Sequence, residues 1–249
     1  MRRFFFSIAA MLIGAAGLSA YSPEIRDIDI SITLHRDGSA SVVERWDVCA
    51  ADGTEWYLVR KNLGDIDIRD FSVTDESGRR YVNEGEWDVD RSIEDKAGRC
   101  GIVHKDDGME LCWGIGKFGD HVFTVSYTMT NAVKSLNDYD MLHLQIVSPG
   151  LSSRPDHVKA EIGIEGAQID STNTRLWGFG FEGEASMEGG KAVYESSERF
   201  RSNSSVIVLL RFDKGTFDSP SRQARDFSEV LDKALEGSDY TEDEDEGGW

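Results

Sequence analysis

Basic residues are scarce in this sequence, and their scarcity excludes one class of partner. The 249 residues contain 27 Lys and Arg against 46 Asp and Glu, which gives a formal net charge of −19. A strongly negative surface repels phosphate backbones and anionic lipid, so nucleic acid is excluded as a partner. The same charge keeps a chain soluble and attracts cations, but it does not indicate a fold.

Short catalytic motifs are also missing. The sequence has no G-x-S-x-G nucleophile elbow and no H-E-x-x-H zinc motif, and its five histidines stand singly. The glycine-rich stretch GIGKFG is followed by a strand pattern, which is typical of a β-turn rather than a phosphate-binding loop. Carboxylate pairs are uninformative among 46 acidic residues, because some pair always lies close together. We therefore predict a protein that is not an enzyme and needs no cofactor.

Cysteine is nearly absent, with only Cys49, Cys100 and Cys112 in the chain. No C-x-x-C or C-x-x-H spacing exists, so the sequence gives poor support to a structural zinc site. Cys100 and Cys112 flank HKDDG, a predicted hairpin turn, and a disulfide between them is permitted outside the cytoplasm. Three free, buried thiols are an equal alternative.

Long hydrophobic runs are missing after the first twenty residues. The opening MRRFFFSIAAMLIGAAGLSA has two arginines, an apolar stretch and small residues at its end, which predicts a signal peptide over residues 1–20. Its roughly 15 apolar residues are fewer than the ~20 that a comfortable membrane span needs. An uncleaved N-terminal anchor is the alternative. Both predict export of the remaining chain to the periplasm or the cell surface.

Alternating apolar and polar residues run through most of the chain and predict β-strands. From Ile28 to Leu34 the two kinds alternate, and Asp37-Gly38 follows as a strong hairpin signal. The pattern recurs many times, at its clearest in HVFTVSYTMT, with turn residues between the strands. We predict a mainly β fold over residues 21–213, an antiparallel β-sandwich of immunoglobulin-like type.

One amphipathic α-helix is predicted in the C-terminal segment 214–237. Within DSPSRQARDFSEVLDKALEGS, apolar residues recur at three- and four-residue spacing. Ser219 is a good N-cap, Pro220 suits the first helical turn, and Gly237 is a natural stop. The acidic run over 238–249 is too charged to fold and is predicted to be a linker next to a membrane.

Glu44 is the most informative single residue, because the alternation turns it inward between Val42 and Trp46. An unpaired buried carboxylate is costly, so a basic partner is expected. Arg60 in WYLVRKNL is the candidate. We predict a structural ion pair, with a ligand-binding charge pair in a cleft as the alternative.

Two further sets of residues are candidates for binding. The stretch LWGFGFEGE carries aromatic side chains on which a sugar could stack, although such a run is also typical of a bulged core strand. The loops DVDRSIED and NDYDM cluster oxygen ligands for calcium without the spacing of a calcium-binding loop. The aromatic set is Trp177, Phe179 and Phe181, and the calcium set is Asp88, Asp90, Asp95, Asn137, Asp138 and Asp140.

Two blocks of this sequence resemble a known family. IRDIDISITLHRDGSASVVERWDV is similar to the first hairpin of the extracytoplasmic domain in Domain of Unknown Function 2207 (DUF2207), a bacterial family of predicted membrane proteins. GDHVFTVSYTMTNAVKSLNDYDMLHLQIVSP resembles a second block of that family. The resemblance runs from about Ile25 to Phe212 and favours an acid at Glu44 and a base near Arg60. Members usually continue into transmembrane helices, which implies that a chain ending at Trp249 is a fragment; a short secreted relative is the alternative.

These features together predict a non-catalytic module outside the cytoplasmic membrane. It would bind a partner or sense a condition and report to a membrane segment that this chain lacks. The expected partner is a protein or peptide, for example a strand added at an exposed sheet edge. The alternatives are a secreted carbohydrate-binding or hydrolytic domain and a calcium-stabilised, adhesion-like domain.

Overall fold

The computed structural model describes residues 22–236, which form fifteen strands and two short helices. The strands are β1 (Glu24–Leu34), β2 (Ala40–Ala50), β3 (Glu55–Lys61), β4 (Ile68–Thr74), β5 (Val82–Glu86), β6 (Arg99–Lys105), β7 (Gly108–Gly114), β8 (Gly119–Met129), β9 (Val133–Ser135), β10 (Tyr139–Val147), β11 (Pro155–Ile164), β12 (Thr174–Phe179), β13 (Gly183–Glu188), β14 (Lys191–Ser196) and β15 (Val206–Asp213). The helices are α1 (Ile93–Lys96) and α2 (Phe227–Leu235). The predicted mainly β class is confirmed.

The strands form three sheets. The large sheet has seven strands in the order β13-β14-β11-β1-β2-β8-β4. The β10 sheet has the order β12-β15-β10-β9, and the β3 sheet has the order β3-β7-β6-β5. This arrangement of seven, four and four strands differs from the expected two-sheet sandwich, and the immunoglobulin-like arrangement is not confirmed.

Most strand pairings among residues 22–236 are antiparallel, as predicted, but two are parallel. β1 pairs with β2 in an antiparallel hairpin on one side and with β11 in parallel on the other, from Ile25 opposite Pro155 to Leu34 opposite Ile164. β5 and β6 also run parallel. Local alternation predicts that a strand exists, but it does not determine which distant strand lies beside it.

One hydrophobic core joins the three sheets. The inward residues of β1 and β2, such as Ile28 and Val42, belong to the same buried cluster as Trp56 of β3 and Val208 of β15. The outward residues of β1, such as Asp29, are exposed. This two-residue period is the one that the sequence predicts, and it sets which face of the large sheet the smaller sheets cover.

The first hairpin depends on a glycine at its turn. Gly38 has φ +81°, and a Cβ at this position would lie 2.6 Å from the Cβ of Ser219. Ser219 donates a hydrogen bond from its hydroxyl to the carbonyl of Val133 at 2.5 Å. The backbone after β15 therefore packs directly on the β1–β2 turn, where only glycine leaves room.

The predicted start of the C-terminal helix was wrong. Ser219 Oγ accepts a hydrogen bond from the backbone N–H of Ser221 at 3.2 Å, as an N-cap does. The backbone groups of Ser221 and Gln223 then bond to Ser135 of β9 instead of continuing a helix, so α2 begins only at Phe227. The side chain of Glu229 accepts a hydrogen bond from the backbone N–H of Asp226 at 3.0 Å, as in a capping box. The predicted signal peptide 1–20, the stop at Gly237 and the linker 238–249 lie outside the described residues.

The register of β6 and β7 excludes the proposed disulfide. Cys100 lies opposite Trp113, and Cys112 lies opposite Gly101. Adjacent residues in a strand point to opposite faces, so the two sulfur atoms face away from each other. All three cysteines are free and buried, as the alternative prediction has it. Burial raises the pKa of Cys100 to about 11 and that of Cys112 to about 12.

Between residues 22 and 236, neither helix has the length or the apolar composition to cross a lipid bilayer.

Candidate functional site

A buried cluster of polar side chains lies between the large sheet and the β3 sheet. Glu44 and Trp46 project inward from β2, Tyr127 projects from the neighbouring β8, and Arg60 projects from β3 on the facing sheet. Each of the four side chains belongs to a residue at most 3% exposed. The structure thus brings together Glu44 and Arg60, the two residues that the sequence analysis paired.

The hydrogen bonds of Glu44 and Arg60 are nearly all made within this cluster. Glu44 Oε1 accepts from Arg60 Nη2 and, at 2.7 Å, from the Tyr127 hydroxyl, while Oε2 accepts from Trp46 Nε1 at 3.0 Å. Arg60 Nε also donates to the Tyr127 hydroxyl at 2.9 Å, and Nη1 donates to the carbonyl of Val59 at 3.1 Å. A buried charge pair is tolerated when its remaining lone pairs and protons are bonded in this way.

Arg60 and Tyr127 keep their protonation states across a wide pH range. Burial opposes the charged form of Arg60, but Tyr127 and Glu44 outweigh it, so the pKa of Arg60 lies above its ordinary value. Burial raises the pKa of Tyr127 well above 10, and the nearby Glu44 carboxylate acts in the same direction. The positive charge of Arg60 opposes both effects but does not cancel them. Arg60 is therefore present as the charged guanidinium and Tyr127 as the neutral phenol. Neither group is poised to exchange protons near neutral pH.

A pocket of about 360 Å³ opens beside this cluster. Arg60 contributes to its inner wall. The other lining residues are Lys61, Asn62, Leu63, Ile66, Met129, His143, Leu144, Gln145 and Ile207. We call it the β3–β10 pocket, because the end of β3 and the middle of β10 form two of its sides.

The pocket exists because one strand is short. β9 covers only three residues and pairs with β10 from Asp140 to Leu142. From His143 onward, that edge of β10 faces β3 instead of another strand of its own sheet. A hydrogen bond from the Ser148 hydroxyl to the carbonyl of Val59, at 3.0 Å, links the two strands beyond the gap.

Three polar side chains in the pocket have unused hydrogen-bonding capacity. Within the described part of the chain, the side chains of Asn62, His143 and Gln145 make no hydrogen bond. Asn62 also has φ +54°, a conformation that non-glycine residues seldom adopt. Lys61, by contrast, is paired with Asp107 at 3.0 Å. No sequence motif marks a gap between two sheets, so none of these three side chains is among the candidate residues predicted from the sequence.

The predicted aromatic platform is divided between two packed regions. Trp177 and Phe179 pack in a small cluster beneath α2, and the ring centroid of Trp177 lies 5.4 Å from that of Phe227. Phe181 packs against the main core instead. All three are half-buried. The three rings therefore do not share one open face on which a sugar could stack, as expected for a core strand.

The predicted calcium ligands are engaged in separate local contacts. Asp138 accepts a hydrogen bond from the backbone N–H of Phe227 at 2.9 Å, at the start of α2. Asp140 accepts from the backbone N–H groups of Gly215 and Phe217, each at 3.0 Å. Across residues 22–236, no group of three or more His, Cys, Asp or Glu side chains is placed to hold a metal ion. The candidate calcium residues therefore do not form one ligand group in this part of the chain.

A second buried charge was missed by the sequence analysis. Lys96 is fully buried, and its ammonium group pairs with Glu55 and donates to Thr54 Oγ1 at 2.8 Å and to the carbonyl of Val89 at 2.6 Å. In sequence, Lys96 sits within a charged stretch that reads as solvent-exposed. Lys96 is buried because α1 lies close to β3 and β7. The local sequence pattern around Lys96 does not indicate this contact.

Comparison with known proteins identifies one family. The profile described as the N-terminal domain of a predicted membrane protein (DUF2207) matches residues 24–206. No curated protein sequence is significantly similar to the chain.

Solved structures resemble the chain only distantly. Yeast LTA4 hydrolase is 10% identical with a TM-score of 0.47 over 77% of this chain and 29% of that protein. An M1 zinc metallopeptidase from Deinococcus radiodurans is 11% identical with a TM-score of 0.37 over 75% of this chain and 42% of that one. The chain thus spans less than half the length of either protein.

Proposed function

The chain belongs to the DUF2207 family of predicted membrane proteins, and from this premise we propose that it contributes an extracytoplasmic, non-catalytic binding module. The observation that carries the proposal is the β3–β10 pocket. There, Asn62, His143 and Gln145 offer hydrogen-bonding groups that no described residue occupies. Ligand sites are commonly apolar pockets of roughly 300–1,000 Å³ with a few such groups, and this pocket lies within that range.

The lining favours an amphipathic ligand. One part of the wall is aliphatic, formed by Leu63, Ile66, Met129, Leu144 and Ile207, and another part is polar. A small molecule or a peptide side chain with an apolar body and one hydrogen-bonding end would satisfy both parts. Gln145 is half-buried, so a ligand that covers its amide without bonding to it costs that amide its hydrogen bonds to water, which gives the pocket selectivity.

The polar groups support binding rather than catalysis. A general base is normally oriented by a hydrogen bond from a third group. Within residues 22–236, His143 makes no such bond. The neighbouring carboxylate of Glu44 is occupied by donors from Arg60, Tyr127 and Trp46. A module of this kind would act through the bound ligand itself and not through a reaction. β3 and β10 belong to different sheets, so a ligand between them bridges two parts of the fold.

A fragment screen by NMR on the full chain tests the proposal. The probes are a defined library of small amides, carboxylates and aromatic alcohols. We expect the binding fragments to shift the signals of Met129, His143 and Gln145 together. Gln145→Trp, which fills the pocket, should abolish these shifts. Gln168→Trp is the matched control, because Gln168 is exposed at a different site.

Two outcomes would contradict the proposal. One is a set of fragments whose shifts map away from the pocket. The other is binding that survives Gln145→Trp as well as it survives Gln168→Trp. Turnover of any fragment during the titration would contradict the non-catalytic part alone.

A further inference from the structure

A second pocket, which shares no lining residue with the first, is rich in arginine and serine. It has a volume of about 290 Å³ and lies between the loop that joins β10 to β11 and the loop that joins β14 to β15. Its lining residues are Ser148, Gly150, Leu151, Ser152, Ser153, Arg154, Pro155, Arg199, Phe200, Arg201, Ser202 and Ser204. None of them lines the β3–β10 pocket. We call it the arginine pocket.

The lining of the arginine pocket is positively charged, although the molecule as a whole is negatively charged. It includes Arg154, Arg199 and Arg201 and no carboxylate, in a chain of net charge −19. Among the described residues, Arg154 forms no ion pair. Arg199 pairs with Asp156 at 2.8 Å, with both side chains more than half exposed.

Arg201 is only weakly compensated. It lies 3.8 Å from Glu182 and 3.9 Å from Glu198, beyond hydrogen-bonding distance, and its side chain is 67% exposed. Exposed ion pairs at such distances hold a guanidinium loosely. At least two of the three guanidinium groups are therefore available to a ligand.

Serine hydroxyls supply further donors around the same space. Within the described residues, the hydroxyls of Ser152, Ser153 and Ser202 make no hydrogen bond. Ser204 Oγ accepts from the backbone N–H of Arg201 at 2.9 Å, which leaves its own proton free to donate. Planar guanidinium groups and several hydroxyls, placed on different sides of one pocket, match the oxygens of a phosphate group.

The pocket is built on a fixed base. The backbone N–H of Phe200 donates to the carbonyl of Pro155 at 3.0 Å, which ties the two loops together. Pro155 and Phe200 are both buried. The arginines therefore project from anchored backbone, which lowers the ordering cost of binding an anion.

We propose that the arginine pocket is a binding site for a phosphate ester, gripped by Arg154 and Arg201 and by the serine hydroxyls. The volume exceeds the ~30 Å³ share of one water about tenfold, so the site has room for the phosphate and part of the group that carries it. The overall negative field opposes anions at long range, so recognition relies on these short contacts. The proposal is independent of the function proposed for the β3–β10 pocket.

Calorimetric titration of the full chain with inorganic phosphate, glycerol 3-phosphate and acetate tests the proposal. We expect saturable binding of both phosphate compounds and much weaker binding of acetate. Arg154→Gln should weaken glycerol 3-phosphate binding at least tenfold, and Arg154→Lys should have an intermediate effect, because lysine keeps the charge but not the fork. Both variants should melt like the parent, since Arg154 is exposed and unpaired within residues 22–236.

Arg69→Gln is the matched control, with the same charge change at an exposed arginine on β4. It should leave the affinity within twofold. The site would be overturned by an absence of saturable binding at tens of millimolar, by acetate binding as tightly as phosphate, or by an equal loss in Arg69→Gln.

Vesicles distinguish the two sources of such a group. One outcome is binding to phosphatidylcholine vesicles that contain phosphatidic acid, without binding to pure phosphatidylcholine vesicles. If Arg154→Gln abolishes that binding, the pocket is assigned to a lipid headgroup. Binding of glycerol 3-phosphate without vesicle binding would assign it to a soluble ester. Vesicle binding that Arg154→Gln leaves unchanged would count against the pocket.

Discussion

At the scale of single residues, the Glu44 carboxylate is the most sensitive point of the core. Glu44→Gln removes the charge that compensates the buried guanidinium of Arg60. Breaking a buried pair from one side costs about 3–5 kcal/mol, because the other charge stays buried and unpaired. We therefore expect Tm to fall by on the order of 10 °C. Thermal unfolding measured by circular dichroism checks this.

An exposed ion pair provides the control for that variant. Asp218→Asn breaks the contact between Asp218 and Arg36, whose side chains are 70% and 71% exposed. Such pairs contribute about 0–1 kcal/mol, so this variant should melt close to the parent. If Glu44→Gln melts as high as Asp218→Asn, the buried pair is not structural and the ligand-binding alternative gains support.

The three thiols give a second prediction at this scale. Cys49, Cys100 and Cys112 are buried, and desolvation raises the pKa of each above its ordinary value. The thiolate is the reactive form, so native protein at pH 8 should react very slowly with a disulfide reagent. Three equivalents should react after unfolding in guanidinium chloride. Rapid reaction of any thiol in the native state would contradict the burial of that thiol.

At the scale of strands and helices, His157 ties three neighbouring strands of the large sheet together. From β11, its ring contacts Asp27 of β1 at 2.6 Å and Glu195 of β14 at 3.1 Å. The hydrogen bond to Asp27, assisted by Glu195 and opposed by some desolvation, raises the pKa of His157 above 6.5. The imidazolium therefore stabilises the parallel pair of strands.

That raised pKa fixes the direction of a pH effect. A group with a raised pKa in the folded state contributes fully below its unfolded pKa, about 6.5, and loses the contribution as pH rises through the folded value. The loss of unfolding free energy in His157→Gln should therefore be larger at pH 5.5 than at pH 8.5. Urea unfolding at both pH values measures it, with the exposed His104→Gln as control. A loss independent of pH would mean that the ring acts through packing alone.

The docking of α2 depends mainly on Phe227. Its ring packs against those of Trp177 and Tyr139, with the Arg211 guanidinium 5.7 Å from its centroid. Deleting a buried phenylalanine side chain costs about 3–5 kcal/mol. In Phe227→Ala we expect amide exchange over Phe227–Leu235 to rise about 100-fold, since each 1.4 kcal/mol is a factor of ten.

Hydrogen exchange followed by mass spectrometry makes the measurement. Ser228→Ala changes an exposed neighbour on the same helix and should leave exchange unchanged. Equal exchange in Phe227→Ala and the parent would show that α2 is held by contacts other than this ring.

At the scale of the whole molecule, features set by residues close together in the sequence could be predicted, whereas features set by contacts between distant segments could not. Alternation placed Ile28 and Glu44 inward, and the inward phase of Glu44 led to Arg60 on the next strand. A one-residue offset between the neighbouring strands β6 and β7 was enough to separate Cys100 from Cys112. The pairing of β1 with β11 and the gap beside β9 depend on contacts between distant segments, which local pattern does not encode.

The start of α2 failed for a related reason. Ser219 and Pro220 have the residue types of a helix start, but the residues that follow bond their backbone groups to Ser135 of β9. α2 starts after Asp226, whose backbone N–H donates to the side chain of Glu229 three residues on. The pairing with β9 is a tertiary contact that local residue types do not encode, and it shifts the start of the helix from Ser219 to Asp226.

The parallel pairing of β1 with β11 has a consequence for how the chain reaches its fold. Asp27 and its contact His157 are 130 positions apart, whereas β1 and β2 meet across a short turn. Strands β1, β2, β8 and β4 can assemble first, and until β11 arrives the free edge of β1 offers unpaired backbone groups beside buried isoleucines. Closure over such a distance is slow, so we expect refolding in milliseconds to seconds rather than microseconds. A chain interrupted before Pro155 should self-associate through that edge, which light scattering of the truncated protein would detect.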